Sequence, residues 1–336
     1  MNVGLPPLPQ DGTLHRFLHL HSDWKRALTG YPPEIPQLVD DFFEPANFFN
    51  EKGRIINTKF YIGTSEEDGK SYVLIQQDAA VLVWSALQAK LERVYDRPVP
   101  IKQPRINFYK YRGVEPVTID SKKAWFNVTG RLRRVNKVRK ADERLLSYKR
   151  QTNFAVELLL QKRHCFLAFD VEAYEKDHSC VIEVGWSLFD SRYNAYKDQH
   201  YLVTEYRHLK NGSYVPDRKN VFLFGTSVWA SRDQITHELQ KDIDWAVKRD
   251  GNICLVGHSL KDDIAYMTKC NLRWPEDGQV YKFDTAEMTA ARVESVNTTM
   301  GLGRSLDDVN LDHWCLHNAG KLVEHLYAGC LNTSYR

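Results

Sequence analysis

Two carboxylates, two residues apart, close an apolar run at Cys165-Phe-Leu-Ala-Phe-Asp170-Val-Glu172. Such a run reads as a buried strand, and side chains alternate across a strand, so Asp170 and Glu172 leave it on one face. Like charges held side by side away from water need a cation, solvent or a retained proton. Alone, the pair is either a metal-binding couple or an exposed strand end. Further on, Ile253-Cys-Leu-Val-Gly257-His258 reads as a strand and glycine turn leading into a helix with Asp262 and Asp263. His258 suits an anchor for that turn. His317 follows near the C-terminus. Its imidazole can take a proton at neutral pH, although a histidine ahead of a helix also serves as a cap or a core hydrogen bonder.

The elements needed to position these groups are legible in order. Strands are expected near 181–189 and 196–205, an amphipathic helix near 231–248, and a short strand near 281–285 whose Asp284 caps a helix from about Ala286. Ser305-Leu-Asp-Asp308 has the form of a capping box opening the next helix.

On these residues, over about 163–330, the chain resembles the DEDDh 3′ to 5′ exonucleases of the ribonuclease-H-like superfamily. The motifs are Asp-x-Glu at Asp170 and Glu172, Gly-His-x-x-x-x-Asp at Gly257, His258 and Asp263, and His-x-x-x-x-Asp, of which only His317 remains. It most resembles a fungal branch whose last motif reads His-Asn-Ala-Gly-Asn-Asp-Ala. The resemblance implies a two-metal site with Mg²⁺ or Mn²⁺ ions roughly 3.5–4 Å apart, bound by hard oxygen ligands. Asp170 would bridge both ions, Glu172 would hold the one carrying the nucleophile, Asp263 would support the other through water, and His317 would be the general base. The spacing from His258 selects Asp263 over Asp262.

In this chain the last motif reads His317-Asn318-Ala319-Gly320-Lys321-Leu322, with leucine where the family has its final aspartate. Leucine has no ligand atom, so the resemblance implies a rate far below that of an intact relative. Glu324 lies about 200° further around a helix and faces elsewhere, while Asp307, Asp308 and Asp312 cap or solvate their own helix. Gly320-Lys321 can be encoded GGT-AAG, which contains the common intron start GTAAG. Residues 321–336 are therefore either translated intron or a genuine loss.

Composition sets outer bounds. With 336 residues and 43% hydrophobic side chains, the chain is long enough for two cored domains and is not disordered overall. Six cysteines without Cys-x-x-Cys spacing read as reduced thiols rather than zinc ligands or disulfides. No apolar run approaches the roughly 20 residues of a bilayer span, and no signal pattern opens the chain; cytoplasm or nucleus follows. The net charge of +3 is uneven. Residues 97–150 hold 16 Lys and Arg against four acids, the footprint of a polyanion binder. Phe108, Tyr109, Tyr111, Trp125 and Phe126 interleave the block and offer faces for stacking; the other reading is a solvated basic surface over core aromatics.

The N-terminal part reads as a proline-marked irregular lead-in over 1–50, then a small α+β basic domain over 51–137. That domain comprises a hairpin at 59–63 and 71–76, a helix over 78–95, and strands near 105–111, 116–119 and 124–129. A linking helix over 138–162 connects it to the ribonuclease-H-like domain, 163–336. Gly63 to Ser71 has the wrong glycine spacing for a P-loop, and its acids would repel phosphate. The expected fold is α/β, a ribonuclease-H-like mixed sheet with flanking helices, preceded by the smaller α+β domain. The expected function is binding of single-stranded nucleic acid, RNA favoured over DNA, with Arg131, Arg133 and Arg134 as grip and a metal site too incomplete for full catalysis. An active Mg²⁺ or Mn²⁺ exonuclease is the alternative, and the N-terminal domain is a candidate for docking a protein partner.

Overall fold

A computed structural model describes residues 13–49, 58–95, 99, 101–214, 217, 222, 225–297 and 300–310. His317, Leu322 and the rest of the last motif lie outside the described residues. The chain divides into two compact units, 1–140 and 141–336. The division falls inside one long helix, so each unit is described by itself.

The first unit is built on a four-stranded antiparallel sheet of β1 (Leu14–Arg16), β2 (Phe60–Ser65), β3 (Ser71–Gln76) and β4 (Tyr111–Val117), in the order β1-β3-β2-β4. Helices α1 (Phe17–Ala27), α2 (Glu34–Phe43), α3 (Pro45–Phe48) and α4 (Gln77–Val94) complete it with the start of α5 (Lys122–Gln161). The irregular lead-in expected over 1–50 is corrected for residues 13–49, which hold a strand and three helices. Pro33 precedes α2, Pro36 sits in its first turn and Pro45 opens α3. The N–H that proline lacks is one that a helix start leaves unpaired anyway. Apolar spacing carries the helices: Phe17, Leu20 and Trp24 are buried on α1, and Ile35, Val39, Phe42 and Phe43 on α2.

The hairpin of β2 and β3 and helix α4 lie where the sequence puts them. The strand expected over 124–129 is instead the first turns of α5. Trp125, Thr129 and Leu132 are buried at helical spacing, and the Ser121 hydroxyl accepts the Ala124 N–H at the helix start. The linking helix thus begins near 122 rather than 138. Only the end of the expected 105–111 strand pairs, and Pro116 is tolerated because β4 is an edge strand. β2 breaks register between Ile62 and Thr64; a Cβ on Gly63 between them would lie 2.8 Å from Leu74 Cδ1.

The second unit is the expected α/β arrangement. Its sheet holds β5 (Cys165–Tyr174), β6 (Asp177–Asp190), β7 (Ala195–Val203), β8 (Val228–Ala230), β9 (Ile253–Gly257) and β10 (Val280–Asp284), in the order β10-β9-β5-β6-β7-β8. The sheet is mixed: β5 runs antiparallel to β6 and parallel to β9, which is parallel to β10. One face of β5, Cys165, Leu167, Phe169 and Val171, packs with Ile235, Leu239 and Ile243 of α6 (Arg232–Asp250) and with Leu260 and Met267 of α7 (Leu260–Lys269). Phe166 and Ala168, on the other face, pack with Ala155, Leu158 and Leu159 of α5. Helices α8 (Thr285–Arg292) and α9 (Leu302–Asp307) follow. The capping box expected at Ser305 is corrected: α9 starts a turn earlier behind extended Gly301, and Ser305 is buried inside it. Cys165, Cys180, Cys254 and Cys270 are free thiols.

Phe17, 2% exposed, meets the rings of Phe43, Phe48, Phe60 and Trp125 at 5.0–5.4 Å. Phe17→Ala is expected to destabilise the first unit by about 3–5 kcal/mol. Urea denaturation checks this, and a loss below about 1 kcal/mol would contradict the central position of this ring.

Candidate nuclease-like site

Strand β5 carries the first two acids. Its burial is continuous through Phe169 and gives way at Asp170, so Asp170 and Glu172 emerge where the strand leaves the core. In register with β6, Asp170 stands opposite Gly185 and Glu172 opposite Glu183.

The third acid arrives through the turn after β9. A Cβ on Gly257 would lie 2.9 Å from Leu260 Cδ1 and 3.3 Å from its Cα, so the turn into α7 closes only over glycine. Ser259 then takes a left-handed conformation, φ 66°. Its N–H and that of Leu260 donate to Asp284 at 3.1 and 3.0 Å. Asp284 also accepts the Ala286 N–H as the α8 cap, the capping role expected for it. His258 is held from both ring nitrogens, by Thr285 Oγ1 at 2.9 Å and the Met300 carbonyl at 3.0 Å. Burial pushes its pKa below the usual histidine value. These contacts belong to an anchor of the turn.

Of the two neighbouring aspartates, Asp263 is buried and Asp262 is exposed. Asp263 Oδ1 accepts the Val171 N–H at 3.3 Å, which ties α7 to β5 between Asp170 and Glu172. Its carboxyl is pushed up to about 9 by burial first, then by the charge of Asp170 and, less, of Glu172 and Asp262, against the lowering Val171 bond. That charge crowding is what a hard divalent cation would relieve, and three carboxylates are the right donors for one. Among the described residues, no three His, Cys, Asp or Glu side chains stand at metal-ligand spacing. The donor type therefore fits, while the described set is not by itself a closed metal cage.

Sequence reasoning missed Glu183 and His200. Glu183, buried on β6 beside Glu172, binds His200 Nε2 at 2.7 Å. His200 Nδ1 in turn meets Ser227 Oγ at 2.8 Å, and its ring stacks on Phe222 at 4.8 Å. Burial raises the Glu183 carboxyl, His200 opposes the shift and Glu172 adds to it. The signal was present as an acid inside the apolar run Val181-Ile-Glu-Val, an arrangement that requires a partner. Arg131, Arg133 and Arg134 are exposed on α5 in the first unit, and Arg131 stands 3.8 Å from Glu115.

The family described as DEDDh_C, DNA polymerase III subunit epsilon-like, C-terminal domain, matches residues 165–321. Residues 165–321 of this chain are thus similar to the DEDDh exonuclease family of the ribonuclease-H-like superfamily. The match ends one residue before Leu322. An uncharacterised nucleolar protein of Schizosaccharomyces pombe is 28% identical over 188 residues, covering 54% of this chain and 74% of its own length. The uncharacterised protein YDR514C of Saccharomyces cerevisiae is 30% identical, over 49% of this chain and 40% of its own. The Saccharomyces cerevisiae protein named "Good for full DBP5 activity protein 2" is 23% identical, over 54% and 38%. The chain thus spans less than half the length of the latter two. Among solved structures, the RNase domain of the yeast Pop2 protein aligns with TM-score 0.31 and 11% identity, over 57% of this chain and 83% of that one.

Asp263 keeps its proton in the folded protein well above pH 3.8, where the unfolded chain loses it. The folded form then binds more protons than the unfolded one, so stability falls as pH rises through the window from about 4 to about 9. In chelator, Asp263→Asn should flatten this fall and be the more stable form at pH 8. Urea unfolding from pH 5 to 9 tests it; parallel profiles for parent and variant would refute the assignment.

Proposed function

We propose that this chain is a nucleic-acid-binding protein whose exonuclease-like domain lacks one metal-binding carboxylate and is inactive or weakly active. One observation carries the reading: Asp170, Glu172 and Asp263 converge in a DEDDh-family domain, while position 322 holds leucine. Asp170, Glu172 and Asp263 would hold Mg²⁺ or Mn²⁺. When bound, such ions neutralise phosphate charge and lower the pKa of a coordinated water. His317 would take the attacking water's proton. Glu183 and His200 would fix the side of the sheet from which Glu172 projects. The proposed substrate is a single strand entering by its 3′ end, RNA favoured over DNA.

The proposed grip is the exposed basic surface of α5 at Arg131, Arg133 and Arg134. The Arg131 to Glu115 pair is exposed on both sides, so it holds that cation only weakly. No helix of the described residues is long and apolar enough to cross a membrane. A nucleolar relative supports a nuclear place of action over a cytoplasmic one.

A second reading has its own support. The family match runs to Lys321 and stops, the point at which the codon pair for Gly320-Lys321 can begin an intron. On this reading 321–336 is translated intron and the spliced protein is an active exonuclease. Sequencing the locus and its messenger RNA decides: a codon pair lacking GTAAG, or no downstream exon restoring an aspartate in register, removes it.

Leu322→Asp is expected to raise Mn²⁺-dependent 3′ to 5′ degradation of end-labelled single strands on the order of 100-fold, the scale of one charge-stabilising group. Asp170→Ala in the same background should abolish the gain. A folded Leu322→Asp protein that stays inert would count against the placement of the third motif and leave the fold intact.

Replacing Arg131, Arg133 and Arg134 together by Glu should weaken single-strand binding and reduce its salt dependence, because fewer counterions are released on association. Fluorescence anisotropy at several salt concentrations reads both quantities. Unchanged affinity and slope would remove these arginines from the grip.

A further inference from the structure

The first unit contains a cleft that the C-terminal site does not account for. One wall is Arg16 at the end of β1 with a stripe along α1 made of His19, Leu20, Asp23, Trp24 and Ala27; the other is the segment from Lys102 to Tyr109. Its volume is about 360 Å³, within the range of small-ligand and base-sized pockets, roughly 300–1,000 Å³.

Three hydrogen bonds sew the second wall to the first and hold the cleft open as a formed site. Trp24 Nε1 donates to the Lys102 carbonyl at 3.0 Å, Gln77 Nε2 to the Pro104 carbonyl at 2.7 Å, and Asn107 Nδ2 to the Leu14 carbonyl at 2.9 Å. Gln77 is fixed in turn by His15. At the floor, Arg16 is 7% exposed. Its guanidinium lies 4.2 Å from the ring centre of Tyr72 and 4.6 Å from that of Tyr109, donates to Tyr111 Oη and Ser65 Oγ, and pairs with the carboxylates of Glu67 at 3.4 Å and Asp68 at 3.9 Å. This cation is built in rather than adventitious.

The rim has a different character. Lys102 and Arg105 are exposed, and after them Ile106, Phe108 and Tyr109 present 72%, 101% and 41% of their surfaces. Phe108 packs against almost nothing, which is costly for an aromatic ring unless a partner covers it. The lining contains one carboxylate, Asp23, against Arg16, Lys102 and Arg105. Burial pushes the pKa values of His15 and His19 below the ordinary value, with Arg16 adding to the shift at His19. Their ring nitrogens are thereby left as neutral donors and acceptors.

We propose that this cleft binds single-stranded nucleic acid, with Lys102 and Arg105 on the phosphates and bases stacked on Tyr109 and Phe108. Exposed cations followed by exposed rings on one segment are what a sequence-tolerant single-strand site requires, since every base has a face to stack and every nucleotide a charge. Exposed Lys102 and Arg105 favour a polyanion over an apolar partner. An acidic protein segment would satisfy the cations but leave the rings uncovered. The site lies wholly in the first unit and does not depend on the C-terminal acids.

The test uses the full chain in chelator, so that no metal at Asp170, Glu172 or Asp263 contributes, with fluorescein-labelled 20-mers of oligouridine and oligodeoxythymidine. Lys102→Gln with Arg105→Gln should weaken binding on the order of tenfold and lower the salt slope by about 1.4, at ~0.7 for each phosphate of a single strand that is no longer neutralised. Tyr109→Ala should weaken it on the order of tenfold without changing the slope, stacking being uncharged. In the parent chain, ultraviolet crosslinks from 4-thiouridine oligomers should map to residues 102–109, a measurement independent of how any variant folds. Tighter binding of one oligomer names RNA or DNA as the ligand. Absence of binding by the parent, unchanged affinity in the variants, crosslinks wholly outside 14–27 and 102–112, or displacement by polyglutamate as effective as by unlabelled oligouridine would overturn the proposal. Each of these outcomes leaves the Leu322→Asp degradation assay standing as a separate test of the C-terminal site.

Discussion

The second unit is organised around a conflict between burial and charge. Asp170, Glu172 and Asp263 are drawn together where β5 leaves the core, and burial beside Asp170 pushes the Asp263 carboxyl well above the usual carboxylate range. The Val171 N–H holds its carboxylate at 3.3 Å, and Gly257 allows α7 to start close enough for that bond to form. The apolar layers on both faces of β5 keep the strand rigid up to Phe169. A site designed only for stability would not collect like charges at such a point. The cost is borne because the surrounding sheet and helices over-determine the backbone.

Behind the acids is a further carboxyl with its own buried partner. Glu183 faces Glu172 in the β5 to β6 register and is buried against His200. Elsewhere on the sheet, Trp186 Nε1 donates to buried Asp242 at 2.9 Å, and Arg249 pairs with both Asp190 and Asp250. Buried carboxylates away from the candidate site have a cation or an N–H donor. The excess negative charge is therefore local to the end of β5.

The first unit solves a different problem. Its core is a cluster of rings around Phe17, covered by helices whose starts use proline. Its sheet leaves Arg16 as a buried cation between two tyrosines. The excess positive charge of residues 97–150 is thus divided between an exposed helix and the segment that walls the cleft. Family relationship covers 165–321, and the yeast relatives differ from this chain in total length, so the first unit has to be understood from its own chemistry.

By itself the sequence determined the order of elements in the second unit, the shared face of Asp170 and Glu172, and the strand, glycine turn and helix that carry Asp263. Each follows from local rules: alternation along a strand, the steric demand of a turn, apolar periodicity. Single residues settled less. Between adjacent Asp262 and Asp263 the family spacing from His258 selects Asp263, and packing of α7 against β5 buries it and leaves Asp262 exposed. The prolines before 50 looked like breakers because proline starts and stops helices alike, and the packing of Phe17 and Phe43 decides which. The segment 124–129 alternates like a strand, yet Trp125 and Thr129 face the core one helical turn apart, a fact fixed by what lies opposite them. The Glu183 to His200 pair and the cleft at Arg16 join residues 17 and more than 80 positions apart. Contacts at such separations arise from chain topology rather than local spacing, so the tertiary structure alone decided them.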